Sequence, residues 1–375
     1  MEYSEHTLGE LCIGSKGRYG IGASAEPYGT TKYTYLRITD INDDGTLNTA
    51  DLKSLNDPDA EKYLLSPGDI VFARTGASTG RSYYYEGTIP NMVFAGFLIK
   101  FTPDETKVYP RFLKYYCISN TYRNWINGAI TGSTRGNINE QTLRNMPVVL
   151  PDLETQKKIV RILSSLDQKA KLNSQNNKTL NEIAEALFKK QFAAKIYGDK
   201  TISDYILPKR GKPLLSKDAR EGSVPVVAGG LEPATYHNQS NTMDPVITIS
   251  ASGANAGFTR LWGEKVWSSD SSYIDSSITD NIYFWYVFLK TRQKEIYDAQ
   301  TVSAQAHIYP KHIGDMSIGF IDNEKIIEYN KRVKPLFEKI FKNEFENKTL
   351  LSLRDTILPK LLSGEINIDK VMLHE

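Results

Sequence analysis

Apolar residues recur at alternating three- and four-residue steps in two stretches of this chain, residues 152–192 and 322–362. That spacing places one stripe of side chains on the seam of paired helices. The first seam reads Ile159, Leu163, Leu166, Ala170, Asn173, Asn177, Leu180, Ala184 and Leu187; the second reads Tyr329, Val333, Leu336, Ile340, Asn343, Asn347, Leu350, Arg354 and Ile357. Without a gap the two stretches share Asp152/Asp322, Glu154/Glu324, Lys169/Lys339, Asn173/Asn343, Lys190/Lys360 and the run 177–180 with 347–350. This is an internal repeat. Two asparagines interrupt each seam, and a buried amide needs a partner, so the asparagine layers are expected to face each other, with Leu180 and Leu350 beside them. Each helix spans roughly 60 Å, and a parallel pair would force residues 193–321 to travel that whole length back. An antiparallel pair is therefore expected. The seams predict a rod with one globular unit at each end and a pseudo-twofold axis through the asparagines. Pro335 predicts a break, with the second helix beginning properly only near that residue.

Outside the helices the pattern shortens to strands and turns. Strands are predicted over 34–38, 70–74, 83–85 and 92–100, and again over 224–228, 246–250 and 265–268. Glycine-bounded turns, 76–80 and 253–257, occur in both sets. A short aromatic helix is predicted after each, over 109–126 and 282–296, with Tyr116 matching Tyr286. The opening Thr7-Leu8-Gly9-Glu10-Leu11 recurs as Thr201-Ile202-Ser203-Asp204-Tyr205, and Lys16-Gly17-Arg18 as Arg210-Gly211-Lys212. Pro147 and Pro151 close the first unit, and Asp152 is a plausible helix cap. The expected fold is α+β: two β-rich units, 1–150 and 196–320, joined by helical spacers at 151–195 and 321–375.

Composition adds limits. The 375 residues carry 40% hydrophobic and 24% charged residues and a formal charge of +2, ordinary for a soluble protein of two or three domains. Cys12 and Cys117 lack motif spacing and read as buried apolar residues in a reducing cytoplasm. The opening lacks a basic-then-apolar signal, and no apolar run is long enough to span a bilayer.

Catalytic constellations are missing. The glycine turns lack the Gly-Lys-Ser/Thr of a phosphate-binding loop; histidines and cysteines lack metal spacing. Asp40, Asp43, Asp51 and Lys53 resemble a nuclease cluster only loosely and read as a solvated loop. No catalytic, cofactor or metal residue is assigned. Recognition chemistry is better represented. The loop Thr131-Gly132-Ser133-Thr134-Arg135-Gly136-Asn137-Ile138 is answered by Thr301-Val302-Ser303-Ala304-Gln305-Ala306-His307-Ile308. The frame repeats while the side chains with reach change. Arginine fits the two acceptors of guanine and glutamine the acceptor and donor of adenine, while Ser or Thr can hold phosphate. The candidate DNA contacts are Ser133, Thr134, Arg135, Asn137, Ser303, Gln305 and His307, then Lys16, Arg18, Arg210 and Lys212, where a glycine between cations suits phosphate. Arg74, Arg81, Arg260 and Lys311 complete the set.

The order of variable unit, helix, variable unit, helix resembles the specificity subunits of type I restriction-modification enzymes. The likeness rests on Thr7-Leu8-Gly9-Glu10-Leu11, Gly68-Asp69-Ile70-Val71, the 132–138 loop, Pro147-Val148-Val149-Leu150-Pro151 with Glu154-Thr155-Gln156, and Leu358-Pro359-Lys360-Leu361-Leu362-Ser363-Gly364-Glu365-Ile366. It implies a non-catalytic subunit whose two target-recognition domains read an asymmetric, bipartite site in double-stranded DNA. It further implies helices that set the half-site spacing and bind two methyltransferase subunits, which a restriction/translocase subunit can join. S-adenosylmethionine, and ATP with Mg, would then sit on those partners and no cofactor on this chain. The competing readings are a protein-binding scaffold and a self-sufficient nuclease or methyltransferase. Salt-sensitive DNA binding separates the scaffold from the specificity subunit.

Overall fold

The computed structural model describes residues 3–131, 136–299 and 307–368. The chain is α+β and divides into two compact units, Met1–Lys169 with Thr349–Glu375, and Ala170–Lys348. Both long helices form, as Leu153–Phe192 and Asn323–Leu362, so each unit contains part of each helix. Asp152 caps the first: its carboxylate accepts the Thr155 amide at 3.0 Å and the Thr155 hydroxyl at 2.8 Å. The break predicted at Pro335 does not occur. Pro335 lacks the N–H that would bond to the carbonyl of Lys331, but both residues are exposed, so water can satisfy that carbonyl.

Within the second unit the helices run antiparallel, and every seam position there is buried or half-buried. Asn173 donates to Asn347 at 2.9 Å and Asn343 donates to Asn177 at 2.7 Å. Each asparagine thus meets the other helix's non-corresponding one, as reversal of direction requires. Asn343 is fully buried and its Oδ1 has no partner among the described residues. Changing Asn343 alone to leucine removes the donor to the Asn177 Oδ1 and is expected to cost about 1–3 kcal/mol. Changing both to leucine should raise the urea midpoint above that of the single variant and match or exceed the wild type. A double variant less stable than Asn343→Leu would sink this account.

The first unit's helix halves are also antiparallel. Ile159, Val160 and Leu163 share one core with Leu358, Leu361 and Leu362. Arg354, a charge on an apolar seam, lies there with Asp167 at 3.0 Å, and the Tyr115 hydroxyl donates to the same carboxylate at 2.9 Å. The positions 170 residues away in the repeat are Trp285, Phe337 and Ala184, all in the second unit's apolar core.

The β parts repeat in topology. A four-stranded antiparallel sheet orders Arg18–Tyr19, Leu98–Phe101, Ile70–Ala73 and Ser82–Tyr84; the second unit orders Lys209–Arg210, Ser271–Ile274, Val246–Ser250 and Thr259–Trp262. A second sheet pairs Thr34–Leu36 with Met92–Phe94 in parallel, answered by Val224–Val227 with Trp267–Ser268. Chain ends of each β region close on short antiparallel pairs, Tyr3–Thr7 with Pro147–Pro151 and Lys200–Thr201 with Ser317–Ile318. The predicted strand 92–100 is two strands, Met92–Phe94 and Leu98–Phe101, separated by a turn. Each predicted aromatic helix is likewise two, Pro110–Tyr116 with Asn120–Thr131, and Ile282–Thr291 with Gln293–Asp298. In the first unit the Ser119 hydroxyl accepts the Tyr122 amide at 3.3 Å, starting a new helix where the previous one stops.

The glycine-bounded turns are true counterparts. Gly80 and Gly257 have φ of 86° and 90°, and a Cβ there would lie 2.5 Å from Ile126 and 3.0 Å from Ile296. Those isoleucines are again 170 residues apart. The cation-glycine-cation runs, by contrast, are not counterparts. Strand register aligns Arg18 with Lys209 and Tyr19 with Arg210, because Lys100 and Ile99 correspond to Tyr273 and Ser272. Gly211 therefore matches Gly20, and both lie against backbone, Ser268 in one case and Ala95 in the other, where no Cβ fits. Sequence alignment by charge slipped three residues; close backbone approach fixes the correct frame.

Candidate nucleic-acid interface

In each unit the segment following the variable loop is tied to the strand that leads into the glycine turn. The Ile138 amide donates to the Arg74 carbonyl at 3.0 Å, and the Ile308 amide to the Ala251 carbonyl at 2.8 Å. One residue earlier, Asn137 Oδ1 accepts the Thr75 hydroxyl at 2.7 Å, while His307 bridges Ser252. The sequence treated the loop and the turn as separate signals, and the structure brings their described flanks together. Ser133, Thr134, Arg135, Ser303 and Gln305 lie outside the described residues.

The cations around this frame are not equivalent. Arg74 is half-buried with its guanidinium 5.1 Å from the Tyr19 ring centroid, and none of its donors meets an acceptor among the described residues. The Tyr19 hydroxyl accepts the Glu140 amide at 3.1 Å, and the Gly17 amide donates to the Glu140 carboxylate at 3.0 Å. A carboxylate thus already occupies the place proposed for phosphate at Gly17. Lys16 is exposed, and exposed Arg18 lies over Tyr63 at 4.6 Å. In the second unit Arg210, at the position of Tyr19, pairs with Asp270 at 2.7 Å and lies 5.9 Å from the Tyr309 ring. His307 stacks on Tyr309 with centroids 5.9 Å apart, and Lys212 and Lys311 are exposed. Each unit therefore holds an arginine near a half-exposed tyrosine, with the two residue types drawn from different elements. Tyr19 and Tyr309 were not singled out from the sequence; each lies within two residues of a candidate, at Arg18 and His307.

Two candidates are committed elsewhere. Arg81 pairs with Asp43 at 2.6 Å and donates to the Ile41 carbonyl at 3.1 Å. Arg260 lies 3.9 Å over Trp262 and donates to Leu231 and Glu232. Arg260 also faces Glu344, whose carboxyl burial holds above its ordinary 4.5, while Arg260 and Lys348 pull it back and Glu264 adds to the rise. A raised folded-state value makes ionisation a stability penalty that grows as pH rises through 4.5 and is complete at neutral pH. Glu344 is exposed, so Glu344→Gln should stabilise the protein only slightly at pH 7, with the advantage vanishing in melts below about pH 4. Equal melting differences at both pH values would contradict this.

The loose acidic cluster is an ion-pair network. Arg37 binds buried Asp40 at 2.6 Å and Asp51 at 3.3 Å, and Lys53 binds Asp51 at 2.5 Å. No group of three or more metal-ligating side chains occurs among the described residues, and no helix there is long and apolar enough to cross a membrane. Cys12 and Cys117 are buried and unbonded, and burial pushes the Cys12 thiol up to about 12.

Residues 1–182 match the family model described as the type I restriction modification DNA specificity domain. That match covers just under half of the chain. The HindI specificity subunit of Haemophilus influenzae is 28% identical over 199 residues, 51% of this chain and 41% of that protein. The MjaIX specificity subunit of Methanocaldococcus jannaschii is 24% identical over 319 residues, 70% of this chain and 71% of its own length. The match to a putative MjaX specificity subunit of the same organism spans 36% of that protein, so the first relatives are matched over well under half their length. A crystal structure of a type I restriction-modification S subunit from M. genitalium shares the fold, with a TM-score of 0.60 at 19% identity over 96% of both chains.

Proposed function

We propose that this chain is the DNA-specificity subunit of a type I restriction-modification complex, without catalytic chemistry of its own. Each unit reads one half of an asymmetric, bipartite site in double-stranded DNA. The observation that carries this is the repeated frame itself. One backbone arrangement of glycine turn, strand end and following segment occurs twice, while Arg74, Tyr19 and Asn137 are replaced by Ala251, Arg210 and His307. Two copies of one frame with different reaching side chains suit two different half-sites. The long helices set the spacing between half-sites and dock two methyltransferase subunits that carry S-adenosylmethionine, with a restriction/translocase subunit using ATP and Mg as a further partner.

The test is co-expression with the methyltransferase-like chain of the same operon, followed by mapping of N6-methyladenine in host DNA. A split motif should appear, one half changing when residues 1–150 are exchanged with those of a relative and the other when 196–320 are. A stable protein that yields no modified motif and no salt-sensitive DNA binding would favour the scaffold reading.

A further inference from the structure

We propose that Arg74 reads the edge of a guanine in the half-site recognised by the first unit, with Tyr19 holding the guanidinium plane. This rests on the DNA-reading function above and assigns the residue responsible at one base pair. Arg74 directly follows strand Ile70–Ala73, and its backbone is fixed twice: its N–H donates to the Phe97 carbonyl and its carbonyl accepts from Ile138, both at 3.0 Å. The side chain therefore leaves from a fixed point. Its guanidinium lies 5.1 Å from the Tyr19 centroid, and Tyr19 is itself tethered through its hydroxyl to the Glu140 amide at 3.1 Å. A guanidinium against an aromatic ring keeps its in-plane donors available while losing freedom to turn.

Those donors are unspent. Among the described residues Nε is buried without a partner, and a charged donor left dry is costly unless something completes it. Arg81 and Arg260 are instead each anchored by a carboxylate and a carbonyl, Asp43 with Ile41 and Glu232 with Leu231. A planar fork with open donors fits O6 and N7 of guanine. Phosphate could also accept two donors, but phosphate is present at every base pair, and a phosphate contact belonging to the shared frame would be expected in both units. The frame recurs at Ala251 and the arginine does not. Side chains that vary on an invariant backbone carry sequence information.

The test uses the assembled complex with its methyltransferase subunits, on duplexes carrying the mapped motif. Each guanine of the first unit's half-site is replaced in turn by 7-deazaguanine, which removes N7 alone. For the wild type, one position should weaken binding about tenfold or more. The Arg74→Ala complex should show no further loss at that position, and Arg74→Lys, which keeps charge without the fork, should behave like alanine there. Equal losses in wild type and Arg74→Ala at every guanine would overturn the assignment. So would a uniform weakening over all duplexes with a shallower salt dependence, the mark of a phosphate contact. Should the variants fail to assemble, the wild-type scan still decides, because a half-site with no sensitive guanine excludes the contact. Absence of any sequence-specific binding by the wild-type complex would instead refute the underlying function.

Discussion

Arg354→Ala is expected to destabilise the first unit by about 3–5 kcal/mol, measured as a fall in the urea unfolding free energy. Its guanidinium is largely buried and contacts Asp167 at 3.0 Å, with side-chain exposures of 11% and 23%. Removing the cation leaves the half-buried Asp167 carboxylate without its counter-charge beside Tyr115, whose hydroxyl burial and that same charge hold well above its ordinary value. The Arg354–Asp355 contact does not rescue it, since Asp355 is 64% exposed. The internal repeat supplies a sharper test. Phe337, Ala184 and Trp285 occupy the corresponding places in the second unit, so Tyr115→Trp, Asp167→Phe and Arg354→Ala together transplant an apolar solution. Buried ion pairs replaced as a group by well-packed apolar residues are often neutral or stabilising. The triple variant should regain most of what the single one loses. A triple variant no better than Arg354→Ala would show that the network is needed for more than its own neutralisation.

The second large effect is expected at Phe188→Ala, about 3–5 kcal/mol lost from the second unit. Phe188 is fully buried, and its ring lies 5.2 Å from Phe192, 5.7 Å from Phe284 and Tyr329, and 6.1 Å from Phe288. Such a cluster cannot close over a missing ring without moving several others. Leu187, assigned to the seam by spacing, is only half-buried. Leu187→Ala should therefore cost markedly less, and equal losses in the two variants would contradict the packing described here.

That contrast shows where periodicity stopped being sufficient. Near the asparagines the three-and-four pattern identified the buried face, because there the partner surface is another helix with the same repeat. Toward its end the first long helix meets the aromatic segment Ile282–Thr291, and the buried stripe moves to Ala184, Phe188 and Phe192. The candidate site was legible to a similar degree. The variable loop and glycine turn stood out as repeated frames, but their proximity depends on hydrogen bonds between residues about sixty positions apart, such as Arg74 with Ile138. Arg74 and Arg81 looked alike as cations near one turn. Only the fold gives Arg81 an aspartate and leaves Arg74 without one.

The sequence by itself determined the α+β class, the two long helices and the Asp152 cap of the first, the duplication and the pairing of asparagine with asparagine. Each of these follows from local spacing or from comparison of one stretch with another, and needs no knowledge of distant contacts. The tertiary structure decided the rest: the pairing of Arg354 with Asp167, the continuity of the helix through exposed Pro335, the three-residue correction that matches Gly20 with Gly211, and which arginines are paired with a carboxylate. All of these depend on what surrounds a residue after distant segments meet. Burial, backbone approach and neutralisation by a partner are properties of that meeting, and a linear pattern does not encode them.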